Sequence, residues 1–355
     1  MTPAHGDTQI LEDWSEAFDD RASEACRLSA REVHLHHAAA ILRSIGSMIM
    51  VAAPVFLFAT LITFLLGAAS GIDPAAGIAG DAASPETVAR IRTQFGLDQP
   101  LVVQYLHWMH GVIRGDLGTS WFNGVPVAAL IAQRLPVSLS IAGVALLIGV
   151  AMGSLFGTTA AIRRGGGVDR AVTAFASIAS ALPPFVIAIG LIIVFSVWLK
   201  WLPSSGYVPP SEDVLGWLSA IAMPAVALSV DVIADLARQL RTGLVAALSE
   251  NYVVGADVRG LSRPRILLVH VLRNAAGPAL SIVALKIPAL IGSSVVTETI
   301  FTLPGMGKLA ADSALRGDIP VVQGVLVVSI VIVLACNLLI NVALGALQPA
   351  SRRRR

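Results

Sequence analysis

The side chains able to do chemistry are few, and several stand where charge is costly. Lys286 lies within an apolar run, about eight residues or roughly 12 Å beyond Pro278 at the helical rise. At a helix centre in a bilayer an ammonium carries a penalty of about 2.5 to 3.5 kcal/mol, so it needs a partner or water. Asp231 and Asp235, one helical turn apart in the preceding apolar run, can supply the partner as an intramembrane ion pair, and Glu298 is a further candidate. In the other assignment Lys286 faces a solute pathway and attracts an anionic group such as a carboxylate.

Other constellations are weaker. Gly305-Met306-Gly307-Lys308 lacks the earlier Gly and the following Ser or Thr of a phosphate loop, so it reads as a turn. No His-Glu-x-x-His and no Gly-x-Ser-x-Gly occurs, which removes zinc proteases and serine hydrolases of those types. His34, His36 and His37 crowd one stretch of the amino-terminal tail, and His107 and His110 are three apart on a helix; each set reads as metal ligands or as surface and packing residues. The first set has no acidic or cysteine partner at ligand spacing and the second no third ligand, and no catalytic, cofactor or metal residue is assigned. Cys26 in a polar tail and Cys336 in an apolar run sit in surroundings too different to pair.

The elements that must position these groups are membrane spans. Of 355 residues 55% are hydrophobic and only 14% charged, and mean hydropathy is +0.76. A net charge of +2 gives no case for nucleic acid. The spacing predicts an all-α polytopic membrane protein with six spans: 44–67, then about Val137 to Ala160, Val172 to Leu199, Leu215 to Leu236, Ala279 to Val296 and Val321 to Leu347. An acidic tail, 1–43, precedes them and is not a signal peptide. Residues 68–136 read as a partly helical external segment with Gly turns, 137–347 as the transmembrane core and 348–355 as a basic terminus. Gly143, Gly149, Gly153 and Gly157 would let helix backbones approach closely. Putting the tail, the Arg163 to Arg170 turn, the Arg238 to Arg273 interval and the carboxyl terminus on one side collects 17 of the 25 basic residues. That side is therefore expected to be cytoplasmic, with both termini on it.

Between spans four and five lies a polar interval, Glu250 to Pro278. It reads as two short helices of about 15 Å each: one over Glu250 to Arg259 capped by Ser249 and stopped by Gly260, the next capped by Ser262 with Pro264 in its first turn. The first would present Tyr252, Val253 and Ala256 on one side, suited to a cleft on a soluble partner.

The words Tyr252, Ala256, Gly260, Leu261, Arg273-Asn274-Ala275 and Pro278 resemble the cytoplasmic coupling loop of ABC importer permeases, specifically the dipeptide, oligopeptide and nickel group and its first, B-type permease. Asp257 departs from that pattern, standing where a basic or small residue is usual. Leu97-Asp98-Gln99-Pro100 through Arg134-Leu135-Pro136, Ser180 to Pro184, Trp201-Leu202-Pro203, and above all Val296 to Leu309 with Asp318 to Gly324 are similar to the same family. Asn341 and Gln348 stand where Asp is common. The resemblance implies a transport subunit that does no covalent chemistry and holds no cofactor of its own. ATP and Mg would sit on two partner ATPase subunits, beside a second homologous permease and an extracytoplasmic substrate-binding protein in the plasma (inner) membrane. It also implies that Tyr252, Val253, Ala256, Asp257, Gly260, Leu261, Arg273 and Asn274 form the ATPase-coupling loop. The expected solute is a dipeptide or oligopeptide, with a nickel chelate, glutathione or haem as alternatives. A passive channel, recognised by flux without ATP, and an intramembrane enzyme, recognised by turnover without partners, are the readings from other classes.

Overall fold

The computed structural model describes residues 46, 50, 52–80 and 83–347, and for Arg273, Asn274, Ala276 and residues 343–347 the backbone alone. The expectations placed on the tail, with Cys26, His34, His36 and His37, on the Arg273 and Asn274 side chains, and on 348–355 fall outside that description. Residues 56–355 form one compact unit; of the preceding unit, 1–55, the described residues are helical.

Every regular element among the described residues is helical, and five helices are long and apolar enough to cross a bilayer. They are α1 (Ala52–Ala69), α5 (Val127–Ile162), α8 (Val214–Leu248), α11 (Leu272–Ile300) and α13 (Ile319–Leu347). The sixth expected span is not one helix. The single helix expected from Val172 to Leu199 is instead α6 (Gly167–Ala181) and α7 (Pro184–Leu191, continued by a π-helical turn Ile192–Trp198), which meet at a 101° bend. Pro183 forces Leu182 into an extended conformation, and Pro184 then starts the next helix without needing a donor.

The spans also run longer than expected. α5 begins at Val127, ten residues before the expected Val137, so Arg134, Leu135 and Pro136 belong to it and the external segment ends at Pro126. Pro136 removes one backbone bond, a loss that helices in a bundle tolerate. At 36 and 35 residues α5 and α8 measure about 50 Å against a hydrocarbon core of about 30 Å, so both project from the membrane.

The α5–α8 pair is the most extensive helix contact. Three of the four glycines make it possible. A Cβ on Gly153 would lie 3.0 Å from the Leu236 Cβ, and one on Gly157 would lie 2.8 Å from the Ala237 carbonyl oxygen, while Gly149 faces Val232 equally closely. Val232, Leu236 and Leu240 are consequently buried against bare backbone. Gly143 has nothing within 4 Å of its Cβ position and takes no part. At the Ile162 end of α5, Arg241 of α8 clasps Asp169 of α6, with Nη2 2.8 Å from Oδ2, and the same carboxylate accepts from the Gly165 amide at 2.9 Å.

At the opposite end α2 (Pro74–Ala79), α3 (Pro85–Gln94) and α4 (Leu101–Ile113) build the external segment on turns that need glycine at positive φ, such as Gly96 and Gly118. Asp318, just before α13, fastens this segment: it accepts from Ser120 Oγ at 2.5 Å and the Trp121 amide at 3.2 Å. Burial pushes its carboxyl above the ordinary aspartate value, and those two bonds act against the rise.

Replacing Gly157 by Leu should overpack the α5–α8 contact and cost about 1–3 kcal/mol, lowering the thermal midpoint of the detergent-solubilised chain. Gly143→Leu should change stability by no more than about 0.5 kcal/mol. Equal midpoints for the two variants would show that the helices do not meet at Gly157.

Candidate functional site

The charges inside the membrane converge where α8 crosses α11. Gly243 and Leu240 of α8 and Ala275, Ala279 and Val283 of α11 are small or apolar enough to bring the helices together, with the Gly243 Cβ position 3.5 Å from Ala275 Cβ. Farther along, Lys286 Nζ lies 2.6 Å from Asp231 Oδ2 and also pairs with Asp235 Oδ2. Asp235 in turn accepts from Arg238, three residues on along α8. The Lys286 side chain is only 13% exposed, whereas Asp231 retains 40%. Attraction in such surroundings offsets the cost of desolvation only when both charges stay paired.

Glu298 does not join this cluster. It sits twelve residues beyond Lys286, roughly 18 Å along the helix, and is fully buried. Its carboxylate accepts from Ser138 Oγ of α5 at 2.6 Å and from the Lys308 amide at 2.9 Å, and the Ser138 oxygen accepts from the Met306 amide at 2.8 Å. These two amides open α12 (Met306–Arg316), whose own cap residue, Gly305, has no side chain. A carboxylate from one helix and a hydroxyl from another thus cap a third, at the end where the helix dipole favours negative charge. The glycines of Gly305-Met306-Gly307-Lys308 serve this packing: a Cβ on Gly305 would fall on the Glu298 carboxylate, and one on Gly307 would lie 2.6 Å from Val295 Cα.

At the far end of α8 the chain forms α9 (Asn251–Val258). Ser249 does not cap it: the Ser249 hydroxyl bonds back to Val245 at the close of α8, and Glu250 is the cap residue, with no side-chain bond. Gly260 is left-handed at φ +75, and Leu261 closes the turn through its amide to the Ala256 carbonyl at 3.2 Å. The second short helix is not separate. Ser262 precedes α10 (Arg263–Arg265), which runs through a π-helical segment, Ile266–Val271, straight into α11.

The face presented by α9 differs from expectation. Ala256 is buried and Val253 half-buried, both in one apolar cluster with Leu261, the π-helical segment Ile266–Val271 and Leu244 and Ala247 at the end of α8. Tyr252, Val254 and Val258 point outward with Asp257, and Val258 is 83% exposed. Val254 and Val258 were legible only as a spacing of four residues, which nothing in the resemblance singled out.

His107 and His110 line an open cleft of about 660 Å³ between the external segment and the start of α13, with Trp108, Arg114, Asp116 and Trp121. Among the described residues no group of three His, Cys, Asp or Glu side chains converges as metal ligands.

Comparison with known proteins gives consistent likenesses. Residues 153–353 match the family described as binding-protein-dependent transport system inner membrane component, and residues 41–142 match the amino-terminal family of such membrane components. The chain is 40% identical over 312 residues to the "Probable peptide ABC transporter permease protein y4tP" of Sinorhizobium fredii (strain NBRC 101917 / NGR234), covering 88% of this chain and 98% of that relative. It is 33% identical over 340 residues to the dipeptide transport system permease protein DppB of Escherichia coli (strain K12), covering 89% and 99%. In fold it is similar to a chain of the inward-facing MetNI methionine ABC transporter, with a TM-score of 0.52 at 18% identity over 62% of this chain and 97% of that one.

Lys286→Met strands two carboxylates that keep 40% and 26% of their exposure, so the cost falls short of the roughly 3–5 kcal/mol of a fully buried pair, and the yield of folded subunit in detergent should fall. Adding Asp231→Leu should restore it better than adding Asp235→Leu, because Asp235 keeps Arg238. Equal restoration by the two double variants would remove Arg238 as the second partner.

Proposed function

The chain belongs to the binding-protein-dependent transport system inner membrane components and is a multi-pass permease subunit of an ABC importer; on that premise we propose that it imports a dipeptide- or oligopeptide-like solute. A binding protein outside delivers the solute, and ATP with Mg is consumed on two partner ATPase subunits. A second, homologous permease completes the passage. The peptide assignment rests on the names of the relatives, which are peptide and dipeptide permeases.

The observation that carries the mechanism is α9. It is a short helix beyond the membrane length of α8, turned back by Gly260 and showing Tyr252, Val254 and Val258 to solvent. Apolar side chains in such a place fit a groove on the ATPase, while Val253, Ala256 and Leu261 seat the helix on its own subunit. ATP-driven closure of the ATPases pushes α9, and α9 pushes α8. Because α5 is locked to α8 through bare glycine backbone, the two turn as one body between inward-open and outward-open states. The basic residues of the Arg163–Arg164 turn and of the Arg238 to Arg273 interval support a cytoplasmic α9 end, with both termini on the same side.

Gly260→Val tests this. A Cβ there would meet nothing within 4 Å, so the change acts through the backbone alone, at roughly 1 kcal/mol or more. The complex should assemble with lowered transport-linked ATP hydrolysis. Normal hydrolysis and normal transport by the variant would remove α9 from the coupling path.

A further inference from the structure

Asp231 sits at the midpoint of α8, yet it is not enclosed. Asp231, Asp235, Arg238 and Thr242, at positions i, i+4, i+7 and i+11, share one face of that helix, and each is partly or fully exposed. Beside them α11 exposes Ser281, Leu285, Ala289 and Gly292 along one stripe, Leu285 at 69%. A part-exposed carboxylate within an apolar span cannot stand in hydrocarbon, so this face is turned to the second permease and the passage between the two subunits rather than to lipid.

The charge available on that face is negative. Lys286 is already engaged by two carboxylates and is 13% exposed, which leaves its ammonium little capacity for an anion. Asp231 gives only Oδ2 to Lys286, and its Oδ1 accepts no hydrogen bond among the described residues. One free carboxylate oxygen beside an ammonium is a poor site for a divalent metal ion, which takes six or so oxygen ligands. It suits a primary ammonium, through a charge-assisted hydrogen bond.

Resting on the peptide reading above, we propose that Asp231 is a specificity residue of the translocation passage: it receives the protonated amino terminus of the solute on its way between the spans. Lys286 remains on Asp235 while Asp231 turns to the solute, so no charge is left unpaired during the exchange. The site therefore favours solutes with a free amine and reverses the sign of the pathway role expected of Lys286.

The test uses the complete importer with its binding protein in proteoliposomes and alanyl-alanine as the probe. Asp231→Asn should lower ATP-driven uptake roughly tenfold, the equivalent of one lost ion pair, and Asp231→Glu should retain most of it. Asp231→Cys gives a second readout, independent of the Asn variant. Its sulfonatoethyl adduct, which returns a negative charge, should recover uptake, and its trimethylammonioethyl adduct should not. Wild-type uptake by Asp231→Asn, equal recovery with either adduct, or a cysteine that neither reagent reaches in the assembled importer would each overturn the assignment. Failure of the unaltered importer to carry alanyl-alanine would instead overturn the peptide reading, and this inference with it.

Discussion

Gly149, Gly153 and Gly157 hold α5 against α8 at a separation where an added Cβ would press into the facing helix, and the remaining architecture is built on that contact. Because α5 lies so close, Val232, Leu236 and Leu240 are buried on one side of α8, and the opposite side is left for Asp231, Asp235 and Arg238. The same contact carries α6 through the Asp169–Arg241 clasp and, at its far end, delivers α9. Dispersion between packed backbones drives such association where lipid removes most of the hydrophobic incentive. A frame of this kind transmits a push along its length with little bending.

Two intramembrane acids of the same chain meet opposite fates, and the reason is geometric. Glu298 lies where a helix begins, so backbone amides and a hydroxyl satisfy it without any cation. Asp231 lies in the middle of a continuous helix, whose amides are all committed, and only the ammonium of a neighbouring span can satisfy it. The first closes the α12 end of the bundle as a structural cap. The second keeps an oxygen free on a face that lipid cannot cover.

Much of this could be read from residue order. Apolar runs gave the spans, spaced glycines gave one helix contact, and Gly260 marked the end of α9 because only a left-handed turn explains a lone glycine there. That Lys286 needs a partner, with Asp231 or Asp235 in reach, followed from cost alone, since a charge inside a span requires one; that it meets both acids did not. What escaped was governed by tertiary context. The bend at Pro183 was written in two adjacent prolines, but hydropathy ran unbroken across them. The long α5 was hidden because Pro136 looked like a boundary. Which side of α9 faces outward depends on where the end of α8 and the segment Ile266–Val271 lie, and Ala256 and Val253 gave no sign of that by themselves. Glu298 found partners from α5 and α12 that no local pattern could name.

The central claim is that α5 and α8 turn together, and a covalent lock between them tests it. In the pair Gly153→Cys and Leu236→Cys the two Cβ positions start 3.0 Å apart, about half an ångström inside the range a disulfide spans, so a small parting of the helices lets the bond form. Oxidation should leave ATP-driven solute uptake by the reconstituted importer at the level of its reduced form. Uptake that stops on oxidation and returns on reduction would contradict the account, because it would mean that α5 and α8 must slide past one another during transport.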